Sequence, residues 1–275
     1  MIIILTLALF LVFLIYPWKT ISNHMILSKN KVLYFAHRGI TIRSHENTIG
    51  AFNDAYKFEV DGIECDIQIT SDNIIIIYHD NTILINNEIV DISQSTLYAL
   101  NEKICKSKDH SIKKIIQIED LLKDLPDNIF INLEIKSQKA LSYGIEERLY
   151  RLVEKYKIQS RVMVSSFNPF ILRRIKKIDA SIFTAYLIGD YYISNIFNSR
   201  LINSIRYLVG TLYCKPDAIN PEINYLNYTM CNLAKKYSVA IFPYTINTDA
   251  ELNKALSMGV NGIFSDNVDF IKRCN

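Results

Sequence analysis

The sequence lacks any CxxC pair: its five cysteines, Cys65, Cys105, Cys214, Cys231 and Cys274, are scattered and odd in number. That argues against a disulfide framework and a cysteine-built zinc site, and fits a reducing compartment. A surplus of one charge is also missing. Lysine and arginine total 31 against 28 acids, for a net charge of +3, and no basic run carries interleaved aromatics, so nucleic acid is not the expected partner. Lys103, Lys106, Lys108, Lys113 and Lys114 form a loose basic segment, either a solvated loop or one drawn to anionic lipid headgroups. Ile2 to Tyr16 is the one segment apolar enough to meet lipid, closed by Pro17-Trp18-Lys19. No Lys or Arg precedes it and no A-x-A follows, so an uncleaved anchor is favoured over a signal peptide. The run falls slightly short of the ~20 residues that span a bilayer, and Trp18 and Lys19 at the interface would extend it. Lys19, Lys29 and Lys31 on its C-terminal flank place the remainder of the chain in the cytoplasm, with a secreted or periplasmic location as the alternative. The expected division is an anchor over 1–18, a linker over 19–30 and one domain over 31–275.

Beyond Lys31 the hydrophobic pattern alternates between short strands and amphipathic helices. Strands are expected at Val32 to Ala36, Ile63 to Ile69, Phe130 to Ile135, Arg161 to Phe167, Ile182 to Leu187, Asp217 to Asn220, Val239 to Ile246 and Gly262 to Ser265. Between them, Ile49, Phe52, Ala55 and Tyr56 share a helical face, as do Ile145, Leu149, Leu152, Val153 and Tyr156. Asn168-Pro169 is a helix start, and Thr248-Asp249-Ala250-Glu251 is a capping box. Ser71-Asp72-Asn73 turns Ile67 to Ile77 into a hairpin after the second strand. Eight strands alternating with helices point to a closed α/β fold, a (β/α)8 TIM barrel with a hairpin extension, preceded by the N-terminal apolar anchor helix.

Chemistry concentrates between Asp61 and Asp80. Glu64 and Asp66 stand two apart on an expected strand and so share a face. Carboxylates that close repel, which leaves either a solvated strand end or a pair held by a divalent cation. The barrel decides between these. Its site lies at the strand C-termini, where His37-Arg38 end strand one, Glu64 and Asp66 lie on strand two, and Glu134 and Lys136 end strand three. Glu64, Asp66 and Glu134 offer the hard oxygens that Mg2+ or Ca2+ prefer. Arg38 and Lys136 are salt-bridge partners or contacts for an anionic substrate. His37 and His79 supply a proton-transfer pair, since an unperturbed imidazole titrates close to neutral pH, and together these groups read as acid/base cleavage of a phosphodiester.

His37-Arg38-Gly39, Glu46-Asn47-Thr48, Glu64-x-Asp66, His79-Asp80, Glu134-x-Lys136, Ser165-Ser166-Phe167 and Gly262-Ile263-Phe264-Ser265-Asp266 together resemble the glycerophosphodiester phosphodiesterases, over Val32 to Phe270. The resemblance implies a metal-dependent barrel enzyme that releases an alcohol and sn-glycerol 3-phosphate from deacylated phospholipids. It implies Glu64, Asp66 and Glu134 as ligands of Mg2+ or Ca2+, His37 and His79 as the catalytic pair, and Arg38 and Lys136 as phosphate contacts. Glu46 and Asn47 would brace the loop after His37. Tyr244 stands where many relatives carry tryptophan, Asn261 replaces a usual aspartate, and an arginine frequent in the family is missing between Asn81 and Glu88. These departures bear on substrate choice.

Two other readings stay open. Tyr191 to Leu212, rich in Tyr, Ile, Phe and Leu, is either an ordinary barrel helix or a membrane-facing lip for an acyl chain, which would make the chain a lysophospholipase D. A tethered barrel that binds phosphodiesters without catalysis is the other. The sequence sets no oligomeric state.

Overall fold

The computed structural model describes residues 20, 24–29, 31–107, 113–137, 144–189 and 200–274, the side chains of 200–206 excepted. The strands in chain order are β1 (Leu33–Ala36), β2 (Gly62–Ile69), β3 (Ile75–Ile77), β4 (Thr82–Ile85), β5 (Glu88–Asp91), β6 (Ile116–Gln117), β7 (Phe130–Ile135), β8 (Val162–Ser166), β9 (Phe183–Ile188), β10 (Ala218–Pro221), β11 (Ala240–Ile241) and β12 (Gly262–Ser265). The helices are α1 (Ile49–Lys57), α2 (Leu97–Lys106), α3 (Ile118–Lys123), α4 (Ile145–Lys155), α5 (Pro169–Ile178), α6 (Arg200–Cys214), α7 (Tyr228–Lys236), α8 (Asp249–Ser257) and α9 (Ile271–Cys274).

Eight strands pair in the order β11-β10-β9-β8-β7-β2-β1-β12, with parallel ladders throughout. The two ends of this sheet meet. Asn261 N donates to Ile241 O at 2.9 Å, Phe264 N to Pro243 O at 3.0 Å and Ile246 N to Phe264 O at 2.9 Å, which closes the (β/α)8 barrel. The seventh strand is shorter as a ladder than the run from Val239 to Ile246. Beyond Ile241 it passes through Pro243, which has no N–H to give, and continues through single bonds such as Tyr244 N to Pro221 O at 3.0 Å.

Strand alternation sorts the residues into two layers. Ile63, Cys65 and Ile67 of β2 and Ile131, Leu133 and Ile135 of β7 face outward into the core shared with the helices. Leu33, Phe35, Phe130, Met163, Phe183, Phe242 and Phe264 fill the barrel interior. Gly62 makes room for them, because a Cβ there would come within 2.4 Å of the Phe35 ring. At the floor, the N-terminal ends of the strands, the turn Met25–Leu27 inserts Ile26 into this inner core, and His24 Nε2 lies 3.0 Å from Gln159 O. That turn falls in the stretch read as a linker.

The hairpin after strand two is present, with β2 and β3 antiparallel and Ile67 opposite Ile77. It leads into a small lobe, where the hydrophobic pattern of the sequence predicts only a connection. In this lobe β4 and β5 form a second hairpin that packs with α2 around Ile83, Ile85, Val90, Leu100 and Ile104. Lys103 and Lys106 of the loose basic segment pair there with Glu88 at 2.9 Å and Glu102 at 2.6 Å.

Among the described residues no helix is long and apolar enough to cross a membrane, and the anchor expected over 1–18 lies outside them. The segment from Tyr191 to Leu212 is described only from Arg200. There α6 buries Tyr207 and Leu212 and leaves Leu208 and Val209 exposed, as an amphipathic barrel helix does.

Candidate active site

Even-numbered residues of β2 and β7 point into the barrel, and toward the strand C-termini these are Glu64, Asp66, Gln68, Asn132 and Glu134 in place of aromatic rings. The ladder sets Asp66 beside Glu134 and Glu64 beside Asn132. One oxygen from each of Glu64, Asp66 and Glu134 lies within 4.8 Å of the others, and all three residues are buried or nearly so. Lys136 Nζ sits 2.6 Å from Glu134 Oε1 and 3.2 Å from Asp66 Oδ1. Arg38 Nε lies 3.2 Å from Asp66 Oδ2, and Arg38 Nη1 donates to Glu46 Oε1 at 2.9 Å. The two expected phosphate contacts are therefore also salt-bridge partners of the carboxylates.

Electrostatics separate the three acids. Burial, with Asp66 next door, pushes the Glu64 carboxyl up to about 8. Burial acts on Asp66 in the same direction, but the Lys136 and Arg38 cations outweigh it and hold Asp66 below the ordinary range. Glu134 is raised by burial, against the pull of Lys136. Glu64 Oε2 accepts the Arg38 backbone N–H at 2.9 Å, while Glu64 Oε1 is buried with no hydrogen-bond partner. A lone-pair oxygen without a donor, in a cluster of three carboxylates and two cations, fits a divalent cation of the hard, oxygen-preferring kind.

The loop after β1 is held by the side chains expected to brace it. Arg38 and Gly39 both adopt positive φ, 56° and 83°, and a Cβ at Gly39 would meet Ala51 at 2.7 Å, so this turn requires glycine. Asn47 N donates to Arg38 O at 3.0 Å, Asn47 Nδ2 to Asp66 Oδ2 at 2.9 Å, and Asn47 Oδ1 accepts from Asp66 N at 3.2 Å. One amide thus ties the loop to the site strand.

Each histidine leans on an aspartate. His37 Nδ1 is 2.9 Å from Asp266 Oδ1, and His79 Nδ1 is 2.7 Å from Asp80 Oδ1. A carboxylate partner calls for an N–H at Nδ1, which leaves Nε2 in each ring as the nitrogen able to accept or give a proton. For His37 burial lowers the pKa, but the bond to Asp266 and the charge of Glu64 outweigh it, so the net shift is upward. Asp266 is fixed in turn by Asn247, whose Nδ2 donates to Asp266 Oδ2 at 2.7 Å and whose Oδ1 accepts from Asp266 N at 2.9 Å.

Gln68 was not singled out by the sequence reading. Its Nε2 donates to Tyr78 O at 2.8 Å and to Asp80 O at 2.7 Å, the carbonyls on either side of His79. Its position two residues after Asp66 on the same strand face was the available signal. Tyr244 stands at the end of the seventh strand, on the β8–β11 side of the mouth. Its ring meets Phe167 edge-on at 6.3 Å, and its hydroxyl donates to Ile188 O at 3.2 Å. Asn261, the other departure, sits at the floor, where its Oδ1 accepts from Ile241 N at 2.9 Å. A groove of about 400 Å³ beside it, lined by Leu27, Lys235 and Ser238, gathers no acid-base pair and is separate from the mouth.

The sequence model of the glycerophosphoryl diester phosphodiesterase family matches residues 37–270. A glycerophosphodiester phosphodiesterase of Caldanaerobacter subterraneus subsp. tengcongensis is 30% identical over 86% of this chain and 94% of its own length. Among solved structures, a putative glycerophosphodiester phosphodiesterase from Galdieria sulphuraria superposes with a TM-score of 0.72 at 20% identity, covering 89% of this chain and 98% of that one. An Oleispira antarctica phosphodiesterase, solved in complex with the product sn-glycerol-3-phosphate, superposes with a TM-score of 0.66 at 19% identity over 89% and 96% of the two chains. With the family model spanning every residue from His37 to Asp266, the chain belongs to the glycerophosphoryl diester phosphodiesterase family and is a phosphoric diester hydrolase.

Proposed function

We propose that the chain hydrolyses glycerophosphodiesters to an alcohol and sn-glycerol 3-phosphate, with His37 and His79 as the proton-transfer pair. The observation that carries this reading is the convergence on one mouth of three crowded carboxylates, two cations and two aspartate-backed histidines. The product-bound Oleispira relative supports the choice of substrate class.

Glu64, Asp66 and Glu134 would hold Mg2+ or Ca2+, which when bound supplies positive charge against the anionic phosphoryl oxygens. Arg38 and Lys136, already at the same carboxylates, orient the diester and share its charge. One histidine, through Nε2, takes the proton from the attacking hydroxyl, and the other gives one to the departing alcohol oxygen. The attacking group in this proposal is the neighbouring glycerol hydroxyl of the substrate, and water opens the resulting cyclic phosphate. A cyclic phosphate trapped during turnover supports that order, and single-step incorporation of labelled water with no such species would replace it with direct water attack.

Residues 1–18 are proposed as a membrane anchor, on the strength of the apolar run alone. Substrate is the soluble deacylated diester. Parallel assays on glycerophosphocholine and lysophosphatidylcholine test this choice. Cleavage of the first with none of the second is expected, and efficient cleavage of the lyso-lipid would move the chain to a lysophospholipase D reading.

A further inference from the structure

The two ends of the barrel carry opposite chemistry. The mouth gathers acids, whereas the helices run down to the floor and end there in lysines, where cations complement the helix macrodipole. Around the floor these lysines are not spread evenly. Beneath β8, β9 and β11 lie the exposed Lys157, Lys177, Lys235 and Lys236, with Lys29 on the turn that enters the barrel. Beneath β2 and β7, on the other side, Lys57 and Lys123 are answered by Asp54 at 3.0 Å and Asp120 at 3.3 Å, and the exposed acids Glu59, Asp124 and Asp127 join them. Exposed apolar side chains accompany the lysines: Met25 at 46% and Tyr237 at 47%. Lysines interleaved with a methionine and a tyrosine form the kind of surface that seats on a bilayer interface.

The chain fixes which end meets the membrane. His24 and Ile26 lock the polypeptide into the floor, through Gln159 O and the inner core. Seven residues, 17 to 23, separate Tyr16, the end of the apolar run, from His24. Fully extended they reach about 25 Å. The eight residues of β2 run roughly 26 Å along a strand tilted by about 36°, a rise of roughly 21 Å from floor to rim, and a tether to the rim would also pass outside the helices, roughly 10 Å more. An anchored barrel therefore cannot turn its mouth to the lipid.

We infer that the floor of the barrel docks on an anionic bilayer through Lys29, Lys157, Lys177, Lys235 and Lys236, with Met25 and Tyr237 at the interface, and that the mouth faces water. The inference rests on residues 1–18 being the anchor proposed above. Its consequence is that the site draws substrate from solution, and a lyso-lipid has to leave the bilayer to reach it.

The test uses the full chain with Trp18→Tyr as background and a single tryptophan at either end, Tyr237→Trp on the floor or Ile89→Trp on the hairpin that follows His79-Asp80. Vesicles of brominated phosphatidylcholine, with or without phosphatidylglycerol, serve as quencher, and flotation reports anchoring. Both proteins should float, and quenching of the floor tryptophan should exceed that of the hairpin tryptophan at least twofold, more so with phosphatidylglycerol. Adding K157E, K235E and K236E to the floor variant should reduce its quenching to the hairpin level while flotation persists, since each lysine near an anionic surface contributes about fivefold in binding. Flotation with equal quenching at both ends, stronger quenching at the hairpin, or quenching indifferent to the charge reversals would overturn the docking while leaving the anchor in place. Failure to float would overturn the anchor and the docking together.

Discussion

Two buried aspartates at opposite ends of the barrel show what separates a structural ion pair from a working one. At the floor Asp217 is fully buried and fully answered: its Oδ2 accepts from Thr184 N at 2.8 Å and Thr184 Oγ1 at 3.2 Å, with Lys176 Nζ at 2.5 Å. One negative charge meets one positive charge. At the mouth Asp66 is as deeply buried, but it shares two cations, Arg38 and Lys136, with two further carboxylates, and Glu64 Oε1 has no donor. Burying charge is costly unless it is paired, and the excess acid at the mouth is carried by Glu64, whose carboxyl is pushed up to about 8. The floor is complete within the chain, whereas the mouth keeps a carboxylate oxygen with no donor, at the triad proposed to hold a cation.

Histidine substitutions should break this contrast most sharply. His37→Ala or His79→Ala should lower kcat by about 10² to 10⁴-fold, the range for loss of a general acid or base, with the fold retained in the circular dichroism spectrum. Full activity in either variant would remove that residue from the chemistry. Asp217→Asn should do the opposite. Leaving Lys176 without its buried partner should cost about 3 kcal/mol of stability in a denaturant titration, with kcat per folded molecule unchanged. A loss of kcat there would mean that the two ends are coupled.

Gln68→Leu tests positioning. Freed of its two carbonyl anchors, the His79 segment should shift and lower kcat by about tenfold with little change in KM, while fold and cation binding stay intact. The smallest effect is a displacement along the pH axis. The Asp266 bond and the Glu64 charge raise the His37 pKa, so Asp266→Asn should lower it, and the limb of the kcat/KM profile that His37 controls should move to lower pH. The same linkage appears in stability. A raised histidine pKa stabilises the fold below the unfolded value of about 6.5, and this is lost as pH rises through the folded pKa. In Asp266→Asn that loss above pH 6.5 should flatten, as read from melting temperature against pH.

Much of the barrel was legible because its signals are local. Alternation placed β2 and β7 with their acids on one face, Asn168-Pro169 capped α5, and Thr248 and Glu251 formed the capping box that opens α8. The lobe was missed although its hairpin carries a readable turn. Asn86 and Asn87, at φ 50° and 64°, join two runs with alternating exposure. The carboxylates and the loop residues Glu46 and Asn47, named from motif and strand position, come together at the mouth with Arg38 and Lys136. Gln68, Asn247 and the aspartates behind the imidazoles were not assigned roles, because what they do depends on carbonyls and rings brought near only by the closed barrel. The floor was opaque for the same reason, since Ile26 and His24 read as linker until the inner core is assembled around them.

The central claim is that the crowded acids at the mouth await a divalent cation for glycerophosphodiester hydrolysis. The most direct measurement follows sn-glycerol 3-phosphate release from glycerophosphocholine by the full chain, first after EDTA treatment and then after addition of Mg2+ or Ca2+, beside Glu64→Gln. The account predicts negligible release in EDTA, recovery with at least one of the two ions, and no recovery in the variant. Undiminished release in EDTA, or a Glu64→Gln variant that recovers like the wild type, would contradict it.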